Sequence, residues 1–153
     1  MRDQQTNTTQ SNTACGSELH NSITVKQPAT PLQAANALKQ LKGFIGNAQR
    51  RVLVDLVFSE EKQFFFDKLV ELGALVTSMP ETYGTDGQGD QAVVYLHYFI
   101  GGCDWYITER DCLPEQFQAF GMADLGQGGE LGYISIIELL ACGAELDFYW
   151  TPK

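Results

Sequence analysis

The chain has 153 residues, 44% hydrophobic and 19% charged, which places it among soluble globular proteins of about one domain. Its net charge of −9 is uneven: residues 1–50 hold five basic and two acidic side chains (+3), residues 51–153 five basic and seventeen acidic (−12). So acidic a body repels phosphate backbones, which excludes non-specific nucleic-acid binding unless a metal or a local basic patch reverses the field.

A domain of this length buries about two-thirds of its unfolded surface and needs no disulfide or metal to fold. The four cysteines, Cys15, Cys103, Cys112 and Cys142, form no C-x-x-C pair, and His20 and His97 are the only histidines. No structural zinc spacing results. Cys103 and Cys112 are close enough to face each other across a hairpin, but free thiols are expected. The start, MRDQQTNTTQ, lacks an apolar signal region, and no apolar run reaches the about 18 residues of a membrane span. The expectation is a reduced, cytoplasmic protein with no membrane partner.

Residues 1–28 are rich in Asn, Gln, Thr and Ser and read as a flexible polar tail before a single domain over 29–153. TPLQAANALKQLKGF opens a helix, with Thr30 as N-cap, Pro31 at the first position and Gln33 closing a capping box. Leu32, Ala35, Leu38 and Leu41 make its expected buried stripe, and Gly43, Gly46 and Asn47 its end. Val52 to Phe58 reads equally as strand or helix. Ser59 then caps a helix with Glu60 and Glu61 in its first turn, Phe65, Leu69 and Leu72 on its inner face, and Gly73 as its stop.

The turn-rich ETYGTDGQGDQ loop follows. Beyond it the period changes to two, and Ala92 to Phe99 predicts a strand with Leu96 and Tyr98 opposing His97 and Phe99. IGGCD makes the turn to a second strand, Trp105 to Glu109. QFQAFGMADL and ELGYI predict two more strands. SIIELLACG predicts a short helix capped by Ser135 and ended by Gly143, and ELDFYW a last strand. The order predicts an α+β fold: N-terminal helices, a small antiparallel sheet, and a short helix before the last strand.

Chemistry has few places to reside. The glycines of Gly84 to Gln91 match neither the P-loop nor the dinucleotide fingerprint. Asp86, Gln88 and Asp90 alternate like the start of an EF-hand loop, but Gln91 stands where glycine is needed and His97 where the bidentate Glu belongs. Asp104, Glu109, Asp111 and His97 cluster in sequence, as a metal-dependent nuclease requires. Glu109 is expected on the face of Trp105 and Ile107, where it needs a partner. The simpler reading has Asp104 shaping the turn, His97 making a local hydrogen bond, and Glu109, Arg110 and Asp111 solvated. The hairpin rings and Phe148, Tyr149 and Trp150 suit core or protein-interface use better than base stacking, given the acidic surroundings.

VYLHYFIGGCDWYITERD, ELGYISIIELL and ELDFYW, in that order, resemble the family of domain of unknown function 2958. The residues that carry the likeness are Trp105, Tyr106, Glu130, Leu131, Gly132, Tyr133, Ser135, Glu138, Leu139, Leu146, Asp147 and Phe148, within residues 92–150. The resemblance implies a small bacterial protein of plasmids and other mobile DNA, often encoded near antirestriction and conjugation functions. It implies no established activity and no agreed catalytic residues.

The leading expectation is thus a non-enzymatic accessory protein that binds a basic host-defence or DNA-processing protein, its acidic face imitating DNA phosphates. Binding is assigned to Tyr83, Asp86, Asp90, Trp105, Tyr106, Glu130 and Tyr133, with no cofactor and no resident metal. The alternative is a metal-dependent, single-stranded DNA endonuclease using Asp104, Glu109, Asp111 and His97, and only that alternative calls for Mg²⁺.

Overall fold

A computed structural model describes residues 26–153. Most of the polar tail expected over 1–28 lies outside the described residues. Helix α1 spans Pro31–Gln40, α2 Asn47–Leu56, α3 Lys62–Ser78 and α4 Ile136–Ala141. The strands are β1 (Leu96–Ile100), β2 (Cys103–Glu109), β3 (Ala119–Asp124), β4 (Gly129–Ile134) and β5 (Glu145–Leu146). They form one antiparallel sheet in the order β4-β3-β2-β1-β5. The fold is α+β.

The capping box of α1 is present: Thr30 Oγ1 accepts from the Gln33 N–H, and Gln33 Oε1 accepts from the Thr30 N–H. Its buried stripe is only half the expected one: Leu41 is buried and Leu38 packs against the core, but Ala35 is exposed. Ala34, Ala37 and Leu41 face inward, while Leu32 is 71% exposed. The cause lies on α3. A Cβ on Gly73 would stand 3.0 Å from Ala37 Cβ and 3.2 Å from Ala37 Cα, so the two helices meet at their smallest residues. Gly73 therefore marks a helix contact and does not stop α3, which runs on to Ser78.

Val52 to Leu56 belongs to a helix, and α3 starts at Lys62, three residues beyond Ser59. Ser59 Oγ does accept from the Glu61 N–H, but within the turn between helices. Phe66, not Phe65, is the buried ring of the Phe triplet, with Leu69 and Leu72 beside it. Phe64 stays exposed and stacks on Tyr149 at 6.4 Å.

Leu96, Tyr98, Ile107, Ala119, Ile134 and Leu146 close one core with the helices. Tyr98 is fully buried and its hydroxyl donates to the Phe44 carbonyl at 2.7 Å; burial pushes its phenol well above the usual range. The first strand begins at Leu96 rather than Ala92, because the Val94 backbone pairs instead with Lys153. The last strand is only Glu145–Leu146. Asp147 Oδ1 accepts from the Tyr149 N–H and turns the chain away. Cys103, Cys112 and Cys142 are free thiols. No helix among the described residues is long and apolar enough to cross a membrane.

Candidate functional site

The helices cover one side of the sheet. The other side carries chemistry. Register places His97 opposite Tyr106, Tyr106 opposite Met122, Met122 opposite Leu131, and Phe120 opposite Tyr133, all on the uncovered face. The register shifts between Ile107 and Glu109, so that Glu109, not Thr108, pairs with Phe120. This β-bulge adds one residue and carries Glu109 from the expected Ile107 face to the Tyr106 face.

Glu109 is 3% exposed there, not solvated. Its Oε2 accepts from the Tyr83 N–H at 2.7 Å, and its Oε1 accepts from both the backbone N–H and the hydroxyl of Thr85. A buried carboxylate needs such donors, and here they come from the Gly-rich loop, not from Arg110. Tyr83 has φ of 76°, a left-handed backbone that costs a bulky residue about 1–3 kcal/mol and persists only where its surroundings hold it. The Glu109 bond is one hold. The second is between phenols: Tyr133 Oη donates to Tyr83 Oη at 2.9 Å. That bond, then burial, raises the Tyr133 phenol above its ordinary value. Burial, then the nearby Asp104 and Asp124, raises Tyr106.

Between this loop and the open face lies a cleft of about 530 Å³. Tyr83, Tyr106, Phe120, Met122, Leu131 and Tyr133 supply its apolar walls, and Asp86, Asp90 and Glu109 its carboxylates, with no Lys or Arg in the lining. Five of the residues expected to bind, Tyr83, Asp86, Asp90, Tyr106 and Tyr133, thus share one cleft. Two do not. Trp105 pairs with Tyr98 on the helix side and packs against the core, and Glu130 pairs with Ala123 on that same side.

Beside the cleft His97 sits between two carboxylates, with Nε2 2.8 Å from Asp104 Oδ1 and Nδ1 3.2 Å from Asp147 Oδ2. A neutral ring donates to only one of them at a time. Tyr106 stacks on it at 4.9 Å, and Trp150 leans on it at 5.0 Å. Asp104 therefore holds the histidine rather than only shaping the turn.

Asp111 is elsewhere. It is 4% exposed, and its carboxylate accepts from the N–H groups of Leu113 and Gln118. Burial opposes its charge, but these donors outweigh it and hold the carboxyl below its ordinary range. The same carboxylate accepts from the Cys112 thiol, which, with burial, raises that thiol. Arg110 is half-buried and paired with Glu81 at 2.7 Å. The supposed nuclease set is thus split three ways: His97 with Asp104, Glu109 under the loop, Asp111 in its own turn. Among the described residues no group of three or more His, Cys, Asp or Glu is placed to hold a metal ion.

The fold and site define an α+β protein with a one-sided sheet, whose open aromatic face and overlying loop form an acidic cleft. The family described as protein of unknown function (DUF2958) matches residues 69–149, more than half of the chain, and the chain belongs to it. The match starts inside α3, well before residue 92, and takes in the Gly-rich loop, the cleft, and His97 with Asp104, Tyr106 and Asp147; α1 and α2 precede it and Trp150 follows it. No curated protein and no solved structure matches the chain.

Proposed function

We propose that this protein is a non-enzymatic binding module, an accessory protein of a bacterial mobile element acting in the cytoplasm. Its sheet cleft takes a basic segment of a partner protein, of the host-defence or DNA-processing class. The observation that carries the reading is the lining itself: three tyrosine rings and three carboxylates without one cation. Glu109 is engaged by the loop, which leaves Asp86 and Asp90 exposed for a ligand. Arginine suits such walls, since its guanidinium stacks on ring faces while carboxylates take its N–H groups. A DNA strand brings the wrong charge.

The test is fluorescence anisotropy with a labelled oligo-arginine peptide, with oligo-lysine and oligo-dT beside it. The peptide should bind, arginine better than lysine, and D86N/D90N should weaken it about tenfold, or about 1.4 kcal/mol. Binding of oligo-dT instead, or Mg²⁺-dependent cleavage of it that D104A/E109A abolishes, overturns the reading in favour of a nuclease.

A further inference from the structure

A second cleft, of about 480 Å³, lies among the helices. The end of α1 and the 3-10 turn after it, Val76 and Thr77 of α3, the Arg110–Gln116 segment and one side of α4 enclose it. Its charge is opposite to that of the first. Lys39, Lys42 and Arg110 line it against a single acid, Glu115, a balance of +2. The described residues as a whole carry nine basic and seventeen acidic groups, a balance of −8. One-third of those cations thus meet in one concavity.

Ordinary structural roles absorb only part of this charge. Arg110 pairs with Glu81 and donates to the Asp111 carbonyl, yet its Nε is a buried donor with no acceptor among the described residues. Lys39 stands in the last turn of α1, where a cation suits the exposed carbonyl ends. Neither Lys39 nor Lys42 makes an ion pair among the described residues. The walls are apolar beside these charges: Leu113 is 55% exposed and Ile137 40%. A site for a bare ion has no need of such walls, and a purely apolar ligand has no need of the lysines.

We propose that this cleft binds a small organic anion, a phosphate or carboxylate headgroup on an apolar body. Lys39 and Lys42 take the headgroup, and Leu113 and Ile137 cover the body. The volume is that of small-molecule pockets, which pair apolar walls with a few placed polar groups. Compact, strongly hydrated ammonium groups serve as point charges for either kind of headgroup.

The full chain, labelled with ¹⁵N, is titrated with phenyl phosphate and with benzoate, beside phenol and inorganic phosphate. Saturating shifts are expected at the Lys42, Gly43, Leu113 and Ile137 amides. One of the two amphipathic anions should bind about tenfold more tightly than phenol or inorganic phosphate, and which one does identifies the headgroup. K39E/K42E should lower that affinity by about tenfold, whereas K62E should not. Should the charge reversal disturb the spectrum elsewhere, K39Q/K42Q serves in its place. Equal binding of phenol, equal binding of inorganic phosphate, or unchanged affinity in the double variant overturns the proposal. So does an oligo-glutamate peptide that shifts these amides where phenyl phosphate and benzoate do not, since a protein is then the occupant.

Discussion

Glu109 and Thr85 are joined twice: one carboxylate oxygen accepts both the backbone N–H and the hydroxyl of Thr85. With the bond from the Tyr83 N–H, this fixes the roof of the acidic cleft to its floor. Glu109→Gln keeps the shape but turns an NH₂ group towards a donor and removes the charge. The expected loss is about 1–3 kcal/mol of stability, the usual cost of unsatisfying a buried, charge-assisted network. Amide exchange should quicken across residues 82–91 more than in the strands, because the loop opens locally. A variant with unchanged denaturation midpoint and unchanged exchange in the loop would show that Glu109 is not its anchor.

Gly73→Ala sets two effects against each other. Alanine favours a helix interior by about 1 kcal/mol over glycine. The added methyl, however, meets Gln40 Oε1 at 2.6 Å, which a flexible side chain can withdraw, and the Ala37 Cβ at 3.0 Å and Cα at 3.2 Å, where α1 has to give by a few tenths of an ångström. Overpacking of that kind costs about 1–3 kcal/mol. Net destabilisation of about 1 kcal/mol is expected, read as a lower urea midpoint. A stabilised variant would mean that α1 shifts away freely.

These two sites show what the sequence leaves legible. Period-two alternation sets Leu96 and Tyr98 against His97 and Phe99, as the strand does, because strand faces follow from spacing alone. The face of Glu109 did not follow, since one bulged residue reverses every inference beyond it. On α1 two stripes share helical spacing. They share Leu41 and part on its N-terminal side, where side-chain bulk favours Leu32, with Ala35 on its stripe, while the close approach at Gly73 selects Ala34 and Ala37. Thr30 and Ser135 were readable as caps because caps are local. His97 gave no hint of its second carboxylate, since Asp147 lies fifty residues along the chain. The gathering of Asp86, Asp90, Tyr106 and Tyr133 into one cleft likewise depends on loop and strand meeting in space.

Acid stability should depend on Asp111. Its folded pKa lies below the unfolded value of about 3.9, so its contribution is fully present above that value and is lost as pH falls through the folded one. Asp111→Asn should lower stability at neutral pH by about 1–3 kcal/mol, through weaker bonds to the Leu113 and Gln118 N–H groups. It should also flatten the fall in stability between about pH 4 and pH 2. Urea midpoints at both ends of that window, for both proteins, decide the matter. An equally steep acid loss in the variant would assign the pH dependence to other carboxylates.

The phenol pair gives a readout of the cleft itself. Tyr133 donates its proton to the Tyr83 oxygen, and a bond that uses the proton holds it on, which is the first cause of its raised pKa. Tyr83→Phe removes the acceptor, so the Tyr133 pKa should fall towards the ordinary value of about 10. Alkaline titration of ¹³C-labelled tyrosine, with Tyr133→Phe to assign the signal, measures it. A cationic peptide in the cleft should also lower it, since a nearby positive charge favours the phenolate. The two effects separate in the Tyr83→Phe protein, where the hydroxyl bond is gone and only the charge can act. A further fall on adding oligo-arginine then places the cation beside Tyr133. No further fall, with the peptide still bound, puts its charges at some other part of the acidic surface and removes Tyr133 from the contact.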